Sequence, residues 1–254
     1  MTRVGVLGAD GKMGRLVCAA VNADPELELV AAVDPSSAGG RVSNLEIAGE
    51  PSALADAKVE VAVDFTRPDA VMENVRFCIE QGISAVVGTT GIGPDRLHEI
   101  RGWLRERDDV GVVVAPNFAI GAVVGQRLAE EAARFFPAVE IVELHHDQKV
   151  DAPSGTAATT ARRIAGARKE AWSGPTGGEA YRGGEVEGIP VHSVRLPGLV
   201  AHQEVIFGAQ GQTLTIRHDA PDRNCYMPGV LLAIREVGRR PGLTVGLEPL
   251  LGLD

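Results

Sequence analysis

Aromatic side chains make up only 4% of the chain, so the platforms on which successive bases of single-stranded nucleic acid stack are largely missing. A basic excess is missing too. Lys and Arg number 25 against 34 Asp and Glu, and the net charge is −9. No Lys/Arg-rich run stands out, whereas a phosphate backbone requires a basic face. No nucleic-acid partner is therefore expected. Cysteine is sparse: Cys18, Cys78 and Cys225 are scattered, with no Cys-x-x-Cys spacing. That excludes a disulfide framework and offers no zinc site, and it fits a reducing compartment. No apolar run approaches the roughly 18 residues that span a bilayer, so no membrane partner is expected. The chain opens directly on a strand-like run, without the basic and apolar regions of a secretory leader. A cytoplasmic location is the expectation. What is present, 254 residues at 44% hydrophobic and 23% charged, is enough for a large core in one or two domains.

The first half alternates strand and helix signals. Val4-Gly5-Val6-Leu7 reads as a buried strand and feeds Gly8-Ala9-Asp10-Gly11-Lys12-Met13-Gly14. A helical run follows, carrying Leu16, Val17, Ala19, Ala20 and Val21. A second strand over residues 27–33 ends at Asp34, twenty residues past Gly14. Strand, glycine-rich turn, helix, strand and acid in this order match a dinucleotide-binding βαβ unit. In that reading Gly8 allows the tight turn and Gly11 lets the backbone approach a pyrophosphate. Gly14 lets the helix pack closely, and Asp34 meets the adenine-ribose hydroxyls. The alternative is a plain turn with Asp34 capping a strand end, but the ordered context favours the cofactor. The spacing is G-x-x-G-x-x-G rather than the commoner G-x-G-x-x-G.

Further strands are expected over residues 59–65, 84–87 and 110–114, with helices opening at Pro68-Asp69 and Pro94. Val-rich strands alternating with helices predict a doubly wound parallel sheet, that is, a Rossmann-like α/β domain. Ligands of such sheets sit beyond the carboxyl ends of the strands. Gly88-Thr89-Thr90-Gly91 and Ala115-Pro116-Asn117-Phe118 fall at such ends and are candidates to line the nicotinamide, with ordinary loop chemistry as the alternative.

The second half reads differently. A helix over residues 119–136 leads to Val139-Glu140-Ile141-Val142, which alternates like a strand. Residues 168–190, rich in Gly, Pro and charge, read as a mobile surface segment. Strand signals at 192–196, 203–207 and 213–217 include a hairpin around Gly208-Ala209-Gln210-Gly211-Gln212. A last helix follows Pro228, and residues 244–247 return to the first domain. The expected organisation is a dinucleotide-binding domain, 1–118 with 229–254, and a smaller α+β domain, 119–228, with an open mixed sheet. His192, His202 and His218 are single polar positions without metal-ligand spacing, so no metal is expected.

Between the second domain's first strand and its next helix lies Glu143-Leu144-His145-His146-Asp147-Gln148-Lys149-Val150-Asp151-Ala152-Pro153-Ser154-Gly155-Thr156-Ala157. Pro153 ends the extended run. Ser154 stands as an N-cap, with Ala157, Ala161, Ile164 and Ala165 at helical spacing behind it. A helix start offers backbone N–H groups and partial positive charge to a carboxylate. Two histidines, Lys149 and such a helix start in one loop indicate a site for an anionic ligand. The alternative is a solvated turn bearing surface histidines, which would need no such convergence.

These motifs together make the chain resemble the dihydrodipicolinate reductase (4-hydroxy-tetrahydrodipicolinate reductase) family over essentially its whole length. The long, specific segment from Glu143 to Ala157 carries the resemblance, with the Gly8–Gly14, Gly88–Gly91 and Ala115–Phe118 segments beside it. The resemblance implies an NAD(P)H-dependent reductase of a cyclic dicarboxylate on the diaminopimelate route to lysine, assembled as a homotetramer through the second domain's open sheet. It implies His145 and Lys149 as catalytic residues, with substrate held by His146, Lys149, Ser154, Gly155 and Thr156. Gly8, Ala9, Asp10, Gly11, Lys12, Met13, Asp34, Gly88, Thr89, Thr90, Ala115, Pro116, Asn117 and Phe118 would bind the cofactor. Many members carry an Arg after the ribose-binding acid, but here Pro35 follows Asp34. Lys12 and Arg15 offer compensating charge, so both NADH and NADPH are expected, with NADH equal or modestly preferred. Two other readings stay open at this point. One is a different two-domain NAD(P)-dependent dehydrogenase of a semialdehyde or amino acid, although the central segment lacks a nucleophilic Cys. The other is a silent nucleotide-sensing homologue, which would have no need to keep His145 and Lys149.

Overall fold

The computed structural model describes residues 1–168 and 182–253. The chain divides into two compact units, 1–118 with 226–254, and 119–225. The first unit is built on a six-stranded sheet. Its strands are β1 (Thr2–Leu7), β2 (Leu27–Val33), β5 (Val61–Asp64), β6 (Ser84–Val87), β7 (Gly111–Val114) and β13 (Gly242–Val245). All pair in parallel, in the spatial order β13-β7-β6-β5-β1-β2. Helices α1 (Lys12–Ala23), α3 (Val71–Gln81), α4 (Pro94–Trp103) and α7 (Met227–Val237) connect and cover it. Strands covered on both faces must be apolar throughout, and β5, β6 and β7 are buried at every position. The sheet reverses its order at β1, which has β2 on one side and β5 on the other. Ligand clefts of such sheets open at that reversal, beyond the strand ends.

Shorter elements escape the periodicity argument: the two-residue strands β3 (Arg41–Val42) and β4 (Leu45–Glu46), and the helix α2 (Ser52–Asp56). None is long enough to show a period. The strand near the expected residues 244–247 begins two residues earlier and ends at Val245, as β13, paired with β7.

The second unit holds a five-stranded mixed sheet in the order β12-β11-β8-β10-β9. Its strands are β8 (Ala138–His145), β9 (Gly184–Val186), β10 (Ile189–Arg195), β11 (Ala201–Ala209) and β12 (Gln212–Ala220). Only β8 and β10 run parallel; the other pairs are antiparallel. Helices α5 (Ile120–Ala132) and α6 (Gly155–Ala167) cover one face. Odd-numbered β8 residues Val139, Ile141 and Glu143 point into that cover and are buried, while Glu140, Val142 and Leu144 on the other face are only half-buried. A period of two fixes this division. The surface segment expected over 168–190 needs correction. Residues 184–186 and 189 onward are strand, and Ile189 is 1% exposed in the core. The glycine content hid a short hairpin, turned at Glu187-Gly188 with positive φ at both residues. Residues 169–181 of that expectation lie outside the described residues.

No helix among the described residues is long and apolar enough to cross a membrane. The described residues contain no cluster of His, Cys, Asp and Glu suited to a metal ion.

Candidate active site

The first unit's cleft is built by its glycines. Gly8 follows β1 with φ +74°, a left-handed value that glycine adopts without strain. Gly14 sits where α1 crosses this turn. A Cβ there would collide with the Gly8 carbonyl oxygen and lie 2.8 Å from Ala9 Cα. Gly11 is the N-cap of α1 with an ordinary φ of −65°. Its absent side chain would approach only the Gly8 oxygen, at 3.3 Å, so Gly11 is not demanded by internal packing.

A cleft of about 320 Å³ opens beside the turn, lined by Gly8, Gly11, Asp34, Ser36, Phe65 and Arg67 among others. This is the sheet's reversal point. Asp34 accepts from Ser36 N at 3.1 Å, Ser36 Oγ at 2.6 Å and Asp10 N at 3.2 Å. Asp10 in turn accepts from Ser37 Oγ at 2.6 Å and pairs with Arg15. Arg15 is therefore already neutralised by a neighbour in the glycine-rich turn. Lys12 is exposed, Met13 half-buried and Ala9 fully buried.

The strand-end loops meet around Asp64, which is 2% exposed. Its carboxylate accepts from Thr66 N, Thr66 Oγ1, Asn74 Nδ2 and Thr89 Oγ1 at 2.7–2.9 Å. Four donors of no charge satisfy a carboxylate that burial would otherwise penalise. The loop after β5 is thereby tied to Gly88-Thr89-Thr90. Gly88 is close to Phe65, since a Cβ at Gly88 would strike the Phe65 ring. Phe65 also packs on Phe118, with ring centroids 5.7 Å apart. Ala115 is buried, Asn117 half-buried, and Thr90 and Pro116 exposed.

In the second unit, β8 delivers His145 at its last residue. His146 lies beyond the strand, so strand alternation does not govern the direction of its ring. Ser154 caps α6, its side chain accepting from Ala157 N at 3.1 Å. A side chain added at Gly155 would meet nothing within 4 Å, so the approach to this helix start is open. Lys149 Nζ reaches both Asp151 carboxylate oxygens at 2.7 Å.

Two residues that the sequence reading did not single out hold this loop together. Glu143 is fully buried. It receives Arg195 Nη2 on Oε1 at 2.7 Å and Arg195 Nη1 on Oε2 at 2.8 Å. It also receives Ser154 N on Oε1 at 3.1 Å and lies 2.5 Å from His145 Nδ1. Arg195 further donates to the carbonyls of Lys149 at 3.3 Å and Asp151 at 2.7 Å. Burial alone would raise the Glu143 pKa, but hydrogen bonds from Arg195, Ser193 and His145 outweigh it and hold the carboxyl down to about 2. Burial lowers the His145 pKa, and Lys149 and Arg195 act in the same direction against the opposing pull of Glu143. Glu143 carried a signal in the sequence: an acid at an inward position of the alternating run Val139, Ile141, Glu143. Arg195 carried none, because only the β8–β10 register brings it opposite His145.

His192 pairs with Glu140 at 2.8 Å and His202 with Asp219 at 2.7 Å. His218 packs beside Gly121.

Comparison with known proteins shows the family. Residues 2–118 match the family model "Dihydrodipicolinate reductase, N-terminus", and residues 121–251 match "Dihydrodipicolinate reductase, C-terminus". The 4-hydroxy-tetrahydrodipicolinate reductase of Nocardia farcinica is 57% identical, with 99% of each chain covered. That of Mycobacterium sp. strain KMS is 54% identical over the same shares. Among solved structures, a dipicolinate-bound dihydrodipicolinate reductase from Paenisporosarcina sp. TG-14 superposes with a TM-score of 0.88 at 40% identity, covering 98% of this chain and 99% of that one. An amine dehydrogenase from Mycobacterium smegmatis, at 15% identity and a TM-score of 0.65, shares the fold alone. With both halves of its length matched and full-length relatives above half identity, the chain belongs to the dihydrodipicolinate reductase family of oxidoreductases.

Proposed function

We propose that the chain reduces 4-hydroxy-tetrahydrodipicolinate to tetrahydrodipicolinate, on the diaminopimelate route to lysine, with NAD(P)H as reductant. The observation that carries the reading is the loop after β8. There Glu143 and Arg195 gather a half-buried His145, the cation Lys149 and the open start of α6. A cyclic imine bearing two carboxylates suits this set. The helix start and Lys149 attract carboxylates, and Lys149 exchanges its Asp151 partner for substrate.

The glycine turn fits a dinucleotide, because Gly11 leaves a backbone that nothing inside the protein requires to be bare. Gly8, Gly11 and Asp34 would hold the pyrophosphate and ribose, with the loops of Thr89 and Phe118 towards the nicotinamide. Bound there, the reduced cofactor supplies a hydride. Loss of the substrate hydroxyl together with a ring proton, as water, leaves a conjugated imine, whose carbon would accept that hydride while the electrons move towards the ring nitrogen. His145 would then give a proton to the enamine carbon, so that the dehydrated ring gains one hydride and one proton. Histidine suits this role because it titrates near working pH. Lys149 stabilises negative charge on the substrate throughout. His146, Ser154, Gly155 and Thr156 hold the carboxylates. Half-buried Val142, Leu144, Val194 and Ile206 on the uncovered face of the mixed sheet support assembly as a homotetramer through that face.

Both cofactors serve, with NADH equal or modestly preferred. Asp34 accepts from a ribose hydroxyl but repels a 2′-phosphate, and Arg15 is held by Asp10. Lys12 is left to offset the repulsion. Like-charge opposition at a partly solvated site is worth on the order of 1 kcal/mol, so the preference should stay within about tenfold. The test compares kcat/KM for NADH and NADPH with the cyclic imine. Asp34→Ala should move the ratio towards NADPH and Lys12→Ala towards NADH. A wild-type preference for NADPH beyond about a hundredfold would refute the reading of the ribose site.

A further inference from the structure

Glu143 does more than satisfy a buried arginine. It stands two residues before His145 on the same strand face, and the register places Arg195 opposite His145 on β10. Its two oxygens are shared out. Oε1 takes Arg195 Nη2 and Ser154 N, and Oε2 takes Arg195 Nη1 and faces His145 Nδ1. A bidentate guanidinium keeps this carboxylate ionised. An ionised carboxylate can only accept, so Nδ1 must carry its proton in both charge states of the ring. No described residue bonds Nε2 of His145.

We propose that Glu143 is a positioning residue that locks His145 as the Nδ1–H tautomer, making Nε2 the nitrogen that passes the proton, and that the same carboxylate sets the start of α6 through Ser154 N. Proton delivery and carboxylate capture then share one fixed point, 0% exposed and anchored by Arg195. The inference rests on the reading of His145 as the acid. A buried ion pair serving only stability would leave the histidine tautomer unconstrained. The depressed pKa of Glu143, about 2, accords with the assignment.

Long-range ¹⁵N correlation NMR on the ¹⁵N-histidine-labelled protein reads the tautomer directly, without a variant. At a pH where the ring is neutral, His145 should show a protonated Nδ1 and a bare Nε2. A predominant Nε2–H form would overturn the proposal. In Glu143→Gln, provided that it folds and binds NADH as the wild type does, Nε2–H should gain population. Its kcat should fall at least ~10-fold, since a wrong tautomer in a histidine–carboxylate pair costs up to ~10⁴-fold. KM for NADH should hold, and Glu143→Asp should recover part of the loss. A folded Glu143→Gln protein with unchanged tautomer or unchanged kcat would equally refute it. If His145→Ala lost little activity while the wild-type tautomer was as stated, the acid assignment would fail and the locking by Glu143 would stand.

Discussion

Gly11 and Gly14 are three residues apart in one turn, and internal packing constrains only the second of them. Substituting each by Ala separates a seat for the cofactor from a packing contact. At Gly14 the new Cβ runs into backbone: it collides with the Gly8 carbonyl and lies 2.8 Å from Ala9 Cα. Backbone cannot swing aside as a side chain would, so the cost belongs at the upper end of overpacking, about 3 kcal/mol. For a chain of this size ~1 kcal/mol moves Tm by about 2–4 °C, so Gly14→Ala should lower Tm by roughly 6–12 °C. At Gly11 the φ of −65° suits alanine, and the only close atom is the Gly8 oxygen at 3.3 Å. A shift of a few tenths of an ångström relieves that, so Tm should fall by no more than about 2–3 °C. If the pyrophosphate is seated as proposed, the Gly11 Cβ would enter the space it needs, and NADH affinity should drop at least ~10-fold, about 1.4 kcal/mol. Thermal denaturation without ligand and calorimetric titration with NADH measure the two quantities separately. Wild-type NADH affinity in Gly11→Ala would show that the turn does not seat the pyrophosphate. A wild-type Tm in Gly14→Ala would show that α1 does not rest on the turn as described.

Lys149→Gln should raise KM for the dianionic substrate by roughly 10–100-fold, the span of a charge-assisted hydrogen bond of about 1.5–3 kcal/mol, and should lower kcat as well. Lys149→Arg should not fully restore either, because a planar fork presents its charge differently; full activity in the Arg variant would contradict a specific role for lysine. For pH dependence, His145 faces Glu143, Lys149 and Arg195, and burial sets its pKa below the ordinary histidine value. A proton donor must start protonated, so kcat/KM should fall as pH rises through that lowered pKa. A bound dianion favours the charged ring, so the corresponding limb of kcat should lie at higher pH. Coincident limbs, or limbs in the reverse order, would argue against His145 as the titrating acid.

The parallel sheet was legible because buried strands have no polar face to disguise them, as in β5, β6 and β7, and because glycines punctuate their ends. In the turn from Gly8 to Gly14, the missing Cβ atoms of Gly8 and Gly14 answer to short-range constraints, whereas that of Gly11 answers to none inside the protein. What escaped was either too short to show a period, such as β3, β4 and α2, or hidden by composition, such as β9 within a glycine-rich run. The site divided in the same way. His145, Lys149 and the Ser154 cap are neighbours in sequence and announced themselves together. Glu143 was visible only as an acid in an inward position. Arg195 lies fifty residues beyond His145 and enters the site through strand register, which no local pattern encodes. The standing of Arg15 changed for the same reason: its charge was legible, its commitment to Asp10 was not.

The central claim, that His145 delivers the proton in this reduction, is tested most directly by turnover of 4-hydroxy-tetrahydrodipicolinate with NADH in His145→Ala beside the wild type, with NADH affinity and Tm measured on both. The account predicts a kcat lower by roughly 10²–10⁴-fold, the usual contribution of a general acid, with cofactor affinity and fold intact. A loss of less than about tenfold in a folded, NADH-binding variant would contradict it.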